Sequence, residues 1–532
     1  MNLPIECHRR MTRCRRRAFV LNLLLAIVAS VGVPLAAQDQ IGRPEPIVVA
    51  EGLPGTLILA GNPASPEVVG KFVELAGKDA QQLLIVGAEN DTGVRTLEPL
   101  LKAKSIEGVS VVAPSKLTAG SDIKSKRGVW IANVNAWPDT LHKLVDHWLS
   151  ERTVVVLSDT SRTAWKTRQS SMLSDLELRV VDEEMAAQGK AAQKFAADLV
   201  KSPGKFGLLL ADDSDVVIRG REIRQLGKGA VQFILPALNG RPARIELLDP
   251  QGVEDLTLWR RAGRLQRVSP IPTAGLARPI VERGSLVIVG GGGMTEDVGR
   301  KFVELAGGAD APIVILPTSM PDPIPNDSGI SFLKRYGANN LRVLTARKRS
   351  EVESADFLSA LREAKGIWFG GGRQWRFVDA YEGTLAYPLI HDVLKRGGVI
   401  GGSSAGATIQ GDYLIRGSPH GPQFMMCEGY ERGFNFLPGV AIDQHFAQRK
   451  RFPDMTALMK VYPQYLGIGL DEATAIVVER QIATVMGRGQ VHVYDRRQQA
   501  DAAADKDYQS LSAGTRFDLV ERRIIATPPA AK

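Results

Sequence analysis

The sequence predicts an α/β fold of two related three-layer domains, each a mostly parallel sheet covered by helices on both faces. Three observations carry this. The segment KFVELAG occurs at 71–77 and again at 301–307, which marks an internal repeat. The flanks also match: GTLILAG (55–61) precedes the first copy as GSLVIVG (284–290) precedes the second, and LLIVGAEND (83–91) and IVILPTSMPD (313–322) follow. Within each copy, short β-branched runs alternate with amphipathic stretches such as TEDVGRKFVELAGG (295–308), where Val298, Phe302, Leu305 and Ala306 recur at helical spacing. Alternating strand and helix imply a parallel sheet buried on both faces, with ligand sites at the carboxyl edge of the strands.

Taken in chain order, residues 1–37 read as an export signal. Arg9, Arg10, Arg13, Arg15, Arg16 and Arg17 precede the 16-residue run AFVLNLLLAIVASVGV, and VPLAAQ supplies small residues suited to cleavage after Ala37. The run is short for a membrane span, so an uncleaved N-terminal anchor is the lesser alternative to export into a periplasmic or extracellular space. Removing this segment takes away six arginines and one glutamate, leaving 61 bases against 57 acids, so the net charge falls from +9 to +4. The basic character thus belongs to the signal, and nucleic-acid binding loses its support. Cys7 and Cys14 leave with it, so Cys427 remains alone, with neither an intrachain disulfide nor a cysteine zinc site available.

Residues 38–50 read as a linker and 51–270 as the first domain. A Pro-containing joint, VSPIPTAGLARP (268–279), leads to the second domain at 275–525, and 526–532 form a tail. The repeat extends along both domains: GVWIANVNAW (128–137) aligns without gaps to GIWFGGGRQW (366–375), and GLLLADDSDVVIRGREIRQLGKGAV (207–231) to GIGLDEATAIVVERQIATVMGRGQV (467–491).

Chemistry concentrates in the second domain. The run GGVIGGSSAGATIQG (397–411) satisfies G-x-S-x-G around Ser404 directly after a strand-like segment. A strand turning sharply into a helix exposes the middle serine in a strained conformation, while the N–H groups behind it face a developing oxyanion. A serine at such an elbow needs a base. Of His391, His420, His445 and His492, only His445 follows a strand-like run, GVAID (439–443), and so belongs at the same sheet edge. Glu472 and Asp471, at the end of GIGLD, both compete to orient that histidine. The glycine run VGGGGMTED (289–297) fits neither nucleotide-binding pattern and reads as a tight loop beside the site.

GSSAGA (402–407), DQHFAQRKR (443–451) and GIGLDEATAIVV (467–478), in this order, resemble the peptidase S51 family and within it the cyanophycinase branch. The resemblance covers about 284–495 and implies a class I glutamine-amidotransferase-like, flavodoxin-like fold without metal or organic cofactor. It implies Ser404 as nucleophile, His445 as base and Glu472 as the third member. It also implies an oxyanion hole from the backbone of Gly371, Gly372 and Ala405, and substrate contacts from Gln374, Asp443, Gln444, Arg449 and Arg451. The substrate implied is a peptide or a cyanophycin-like polymer of β-linked aspartyl-arginine units. An acid suits a guanidinium there, and arginines clamp a carboxylate. One position departs: Asp454 stands where the family pattern has a third arginine, which places an anion where a substrate carboxylate would be held.

The first copy lacks this machinery. Aligning LVDHWLSERTVVVLSDTSRTA (144–164) to LIHDVLKRGGVIGGSSAGATI (389–409) sets Asp159 opposite Ser404 and Leu157 opposite Gly402, and no histidine follows His147 in that domain. VVDEE (180–184) stands for the histidine region, and Asp212 lies opposite Glu472. The first domain is therefore expected to be catalytically silent and to occupy the place of a second subunit, as a pseudo-dimer within the chain, with homo-oligomers an alternative. The leading expectation is an exported serine-type exopeptidase cleaving aspartyl or β-aspartyl-arginine bonds. An α-aspartyl dipeptidase and a non-catalytic envelope binding protein are the rivals.

Overall fold

One packing contact accounts for the KFVELAG repeat. Phe72 meets Trp130 edge-on with ring centres 5.3 Å apart, and Phe302 meets Trp368 in the same way at 5.0 Å. Each phenylalanine lies on a helix, Pro66–Ala76 or Glu296–Ala306, and each tryptophan on the strand beneath, Gly128–Ala132 or Gly366–Phe369. Such aromatic pairs contribute about 0.5–1.5 kcal/mol beyond the area they bury. The helices bury corresponding faces: Val68, Phe72, Val73 and Ala76 in one, Val298, Phe302, Val303 and Ala306 in the other. Leu305 only borders this core.

The structure is a computed structural model and describes residues 50–526 except 63–64, 159, 166–171, 268–274, 276 and 498–505. The proposed export signal, residues 38–49 of the linker, residues 268–274 and 276 of the joint and the tail beyond Ala526 lie outside the described residues. Among the described residues no helix is long and apolar enough to cross a membrane.

Each half holds a large and a small sheet, and the strand orders agree. In the first half the large sheet runs Ser110–Val112, Leu83–Val86, Gly128–Ala132, Val154–Ser158, Leu53–Ala60, then Val216–Gly220, Glu222–Gln225 and Glu254–Asp255. In the second it runs Leu341–Val343, Ile313–Leu316, Gly366–Phe369, Val399–Ser403, Val281–Val289, then Thr474–Arg480, Ile482–Gly487, Arg516–Asp518 and Arg523–Ala526. The first five strands of each are parallel and the rest antiparallel. Register agrees as well, with Ala60 opposite Ser158 in one half and Val289 opposite Ser403 in the other. The inner strands Leu83–Val86, Val154–Ser158 and Ile313–Leu316 are buried along their whole length and nearly all apolar, as burial on both faces requires. A small sheet accompanies each: Leu176–Val181, Phe206–Ala211, Val231–Leu235 and Arg244–Leu247 in the first half, and Gly411–Tyr413, Leu437–Gln444, Leu466–Leu470, Val491–Asp495 and Gln509–Leu511 in the second.

The two halves share a core. The largest apolar cluster runs through both, from Leu53 and Trp259 to Phe434 and Leu519, and the described residues belong to one compact unit, Ile47–Lys532. The helix Leu256–Leu265, whose Leu258, Trp259 and Ala262 belong to that cluster, meets the second half at Gly429, whose carbonyl accepts from Arg261 Nε at 3.1 Å.

Candidate active site

Ser404 stands where the strand Val399–Ser403 breaks into a single helical turn, Ala405–Thr408, with φ 58° and ψ −114°. A serine held there costs about 1–3 kcal/mol of backbone strain, which the surrounding contacts must hold in place. The small neighbours are obligatory. A Cβ on Gly402 would lie 2.3 Å from the Gly406 carbonyl oxygen, one on Gly406 2.1 Å from that of Phe369, and one on Gly401 2.6 Å from the Phe302 ring. The expected helix behind the serine is only one turn long, so individual N–H groups rather than a macrodipole face the site.

His445 follows the strand Leu437–Gln444, and Glu472 stands just past Leu466–Leu470, the neighbouring parallel strand. Ser404 Oγ lies 2.9 Å from His445 Nε2, and His445 Nδ1 lies 2.6 Å from Glu472 Oε1. Glu472 accepts only, so Nδ1 carries the proton and Nε2 presents its lone pair to the serine hydroxyl. Burial pushes the His445 imidazole below its ordinary value; the Glu472 hydrogen bond opposes this and the Arg449 charge adds to it. The imidazole is thereby neutral near pH 7, as a general base must be.

The glycine run 289–293 is the mould for this pair. The Gly290 carbonyl accepts from His445 N at 2.7 Å, and that of Gly291 from Ala473 N at 2.8 Å. A Cβ on Gly291 (φ 101°) would meet His445 Cε1 at 2.3 Å, and one on Gly292 (φ 65°) would meet Glu472 Oε2 at 2.4 Å. The alternative third member, Asp471, faces away: it accepts from Ala447 N and Gln490 N at 3.0 and 3.1 Å and lies 3.3 Å from His492 Nε2.

Gly371 backs on Ser404, its Cβ position 3.5 Å from Ser404 Cβ. Ser319, which sequence reasoning passed over, pins this loop: its hydroxyl donates to the carbonyls of Gly370 and Gly371 at 3.1 and 2.8 Å, and its carbonyl accepts from Arg373 N at 2.9 Å. Gly372 (φ 145°) has no room for a Cβ, which would lie 2.3 Å from the Ser319 oxygen. Ala405 N opens the helical turn beside them.

A cleft of about 240 Å³ opens at Ser404, lined by Gly372, Arg373, Gln374, Arg416, Pro422, Gln444, Arg449 and Arg451. Four of the expected substrate contacts, Gln374, Gln444, Arg449 and Arg451, are thus brought together. Asp443 is not among the lining residues, which corrects its assignment as a direct partner for a substrate guanidinium. It is fully buried, with Arg451 Nη1 at 2.6 Å, Arg416 Nε at 3.3 and 3.2 Å, and its own neighbour's N–H, Gln444 N, at 3.0 Å. Asp454 does not stand unopposed either: Arg416 Nη2 reaches it at 2.6 Å. Arg416, carried at φ 57° just past Gly411–Tyr413, therefore supplies a third cation from an element far from the DQHFAQRKR motif. Arg373 adds a fourth. Neither stood out in the sequence, and no spacing rule links them to Ser404.

In the first half, Arg162 occupies the position aligned with Ala407. Its buried guanidinium donates to the carbonyls of Ser214 and Asp212 at 2.6 and 2.7 Å. Asp215 Oδ1 accepts from Gly61 N and Asn62 N at 2.8 and 3.2 Å, closing the turn aligned with Gly290 and Gly291. Asp159, aligned with Ser404, lies outside the described residues.

Residues 286–486 match the sequence profile of Peptidase family S51. The chain is 32% identical over 221 residues to a cyanophycinase of Geminocystis herdmanii, covering 40% of this chain and 81% of that protein. It is also 32% identical over 223 residues to a cyanophycinase of Synechococcus elongatus, covering 40% and 68%. The solved structure of a peptidase from an acI-B1 Actinobacterium aligns at 24% identity over 44% of this chain and 97% of its own, with a TM-score of 0.35. With its serine elbow, DQHF histidine and glutamate in the family's order, and with relatives matched over most of their length, this chain belongs to peptidase family S51.

Proposed function

We propose that this chain is an exported serine-type exopeptidase that hydrolyses aspartyl peptide bonds, including the β-aspartyl-arginine linkage of cyanophycin, through an acyl-enzyme. The observation that carries this is the Ser404–His445–Glu472 chain, with contacts of 2.9 and 2.6 Å, opening into a cleft lined by four arginines. Ser404 Oγ attacks the scissile carbonyl as His445 Nε2 takes its proton, and Glu472 stabilises the imidazolium. The N–H groups of Gly371, Gly372 and Ala405 face the oxyanion, the bonds that strengthen as charge develops. His445 then gives the proton to the leaving amine, the C–N bond breaks, and water, activated by the same imidazole, cleaves the Ser404 ester.

The cleft favours a carboxylate beside the scissile bond. Its lining carries Arg373, Arg416, Arg449 and Arg451 and no acid. Because Asp443 is committed to Arg416 and Arg451, the second reading, an α-aspartyl dipeptidase that reads the acidic residue alone, draws support from the same geometry. The matching strand orders and the shared Phe–Trp contact support descent of the two halves from one duplicated domain, of which only the second keeps a nucleophile. Mature protein incubated with cyanophycin and with Asp-X dipeptides, products identified by mass spectrometry, separates the two substrate classes. Unchanged hydrolysis by Ser404→Ala would refute the mechanism, since losing the nucleophile of such a triad costs on the order of 10⁴- to 10⁶-fold.

A further inference from the structure

The first half grips the outer side of the cleft. The helix Trp375–Tyr381 continues directly from the loop that sets Gly371 against Ser404 and Gln374 in the cleft. On that helix the buried Asp379 receives Arg221 Nη1 at 2.5 Å and Tyr430 Oη at 2.9 and 3.0 Å. Arg221 belongs to the first half. Its Nε and Nη2 also hold Asp255 Oδ2 at 2.9 and 2.8 Å, its Nη2 reaches Tyr430 Oη at 3.1 Å, and its guanidinium lies 4.8 Å from the Trp375 ring centre. Arg261, also of the first half, sits over the Tyr430 ring at 4.8 Å, donates to the Gly429 carbonyl at 3.1 Å and pairs with Glu382.

Tyr430 ends the segment whose inner side supplies Arg416 and Pro422 to the cleft. Two bonds tie that segment to the glycine loop: Gln374 Nε2 to the Ile415 carbonyl at 2.6 Å and Arg373 Nη2 to that of Ser418 at 2.7 Å. The two walls of the cleft therefore meet at Asp379 and Tyr430, and the group that joins them from outside comes from the half without a serine elbow.

We propose that Arg221 is a positioning residue for the reaction at Ser404: it fixes the glycine loop's helix against Tyr430 and so sets the spacing of the cleft walls. The planar guanidinium reaches two carboxylates and a phenol from three separate nitrogens, a fixed spread that the single ammonium of lysine does not offer. Without Arg221 the buried Asp379 keeps only the Tyr430 hydroxyl and the more distant Arg261 Nη1 at 3.7 Å, so loss of Arg221 moves the helix or the segment. Displacements of about 1 Å at such distances cost on the order of 100-fold in rate. This role rests on Ser404 being the nucleophile.

The full chain is tested with a fluorophosphonate probe, by labelling rate, and with the hydrolysed substrate, by KM and kcat. Arg221→Gln and Tyr430→Phe should label at least tenfold more slowly and raise KM, at a temperature where circular dichroism shows both folded. Arg260→Gln breaks a buried pair with Asp175 that lies wholly in the first half, at 2.8 Å, and should label within twofold of the unaltered chain. Should Arg221→Gln not fold, the isosteric Tyr430→Phe decides. Rates within twofold for Tyr430→Phe, or an equal slowing in Arg260→Gln, would overturn the role. Labelling of Ser404→Ala at the unaltered rate would instead overturn the nucleophile on which it rests.

Discussion

Asp471 and Glu472 are adjacent in the chain and serve different histidines. Glu472 Oε1 lies 2.6 Å from His445 Nδ1, whereas Asp471 Oδ1 lies 3.3 Å from His492 Nε2, whose Nδ1 is 2.9 Å from Ser510 Oγ. The strand ends at Leu470, and successive side chains leave extended backbone on opposite sides. Burial works against the ionised form of Asp471, but His492 and the N–H groups of Ala447 and Gln490 outweigh it and hold its carboxyl below the ordinary value. One acid is turned to the reacting serine, and the other braces the loop that carries the base.

This division predicts opposite phenotypes. Glu472→Gln should lower kcat by roughly 10²- to 10⁴-fold, because the anion that fixes the His445 tautomer and stabilises its imidazolium becomes a neutral amide, with little change in unfolding midpoint. Asp471→Ala leaves two buried N–H groups and His492 without their acceptor, a loss of roughly 1–3 kcal/mol each at most, so its denaturation midpoint should fall well before kcat does. Urea titration beside steady-state kinetics on both variants separates the two roles, and equal kcat losses would contradict the assignment.

Gly291→Ala tests the mould beneath the imidazole. Its Cβ would sit 2.3 Å from His445 Cε1 and 2.5 Å from Nε2, at φ 101° where a side chain is already strained. The ring must swing away from Ser404, so the expected outcome is a fall in phosphonate labelling of about 100-fold. The φ mismatch adds a destabilisation of roughly 1 kcal/mol or more. Gly293→Ala is the control, since no atom lies within 4 Å of its Cβ position and only the φ of 102° is at issue. Equal labelling losses in both variants would show that strain rather than the imidazole contact decides.

The elbow, the histidine and the repeat were legible in the sequence because each is a local pattern. A small-residue turn, a strand end and an amphipathic helix announce themselves within a dozen residues. Asp443 was misread because motif spacing says nothing of depth: it is the penultimate residue of the strand Leu437–Gln444 and is fully buried. Arg416, Arg373 and Ser319 were missed for the converse reason. They reach the site from the ends of other strands and loops, through contacts that depend on tertiary placement alone. The join between the halves was equally silent, since Arg221 and Asp379 are 158 residues apart and pair only once both sheets are built.

The acidity of His445 offers a prediction whose sign differs between two neighbours. Burial lowers its pKa, the Glu472 bond raises it and the nearby Arg449 charge lowers it further, with a net fall from 6.5. The free enzyme's kcat/KM should therefore rise with pH through a midpoint below 6.5 and level off by neutrality, since only the neutral imidazole accepts the serine proton. Arg449→Met removes a cation that disfavours imidazolium, so the midpoint should move up while KM for acidic substrates rises. Glu472→Gln removes an anion that favours imidazolium, so the midpoint should move down. Measuring the acid limb of kcat/KM for both variants and the unaltered chain checks this, and shifts in the same direction would show that His445 is not the group titrating.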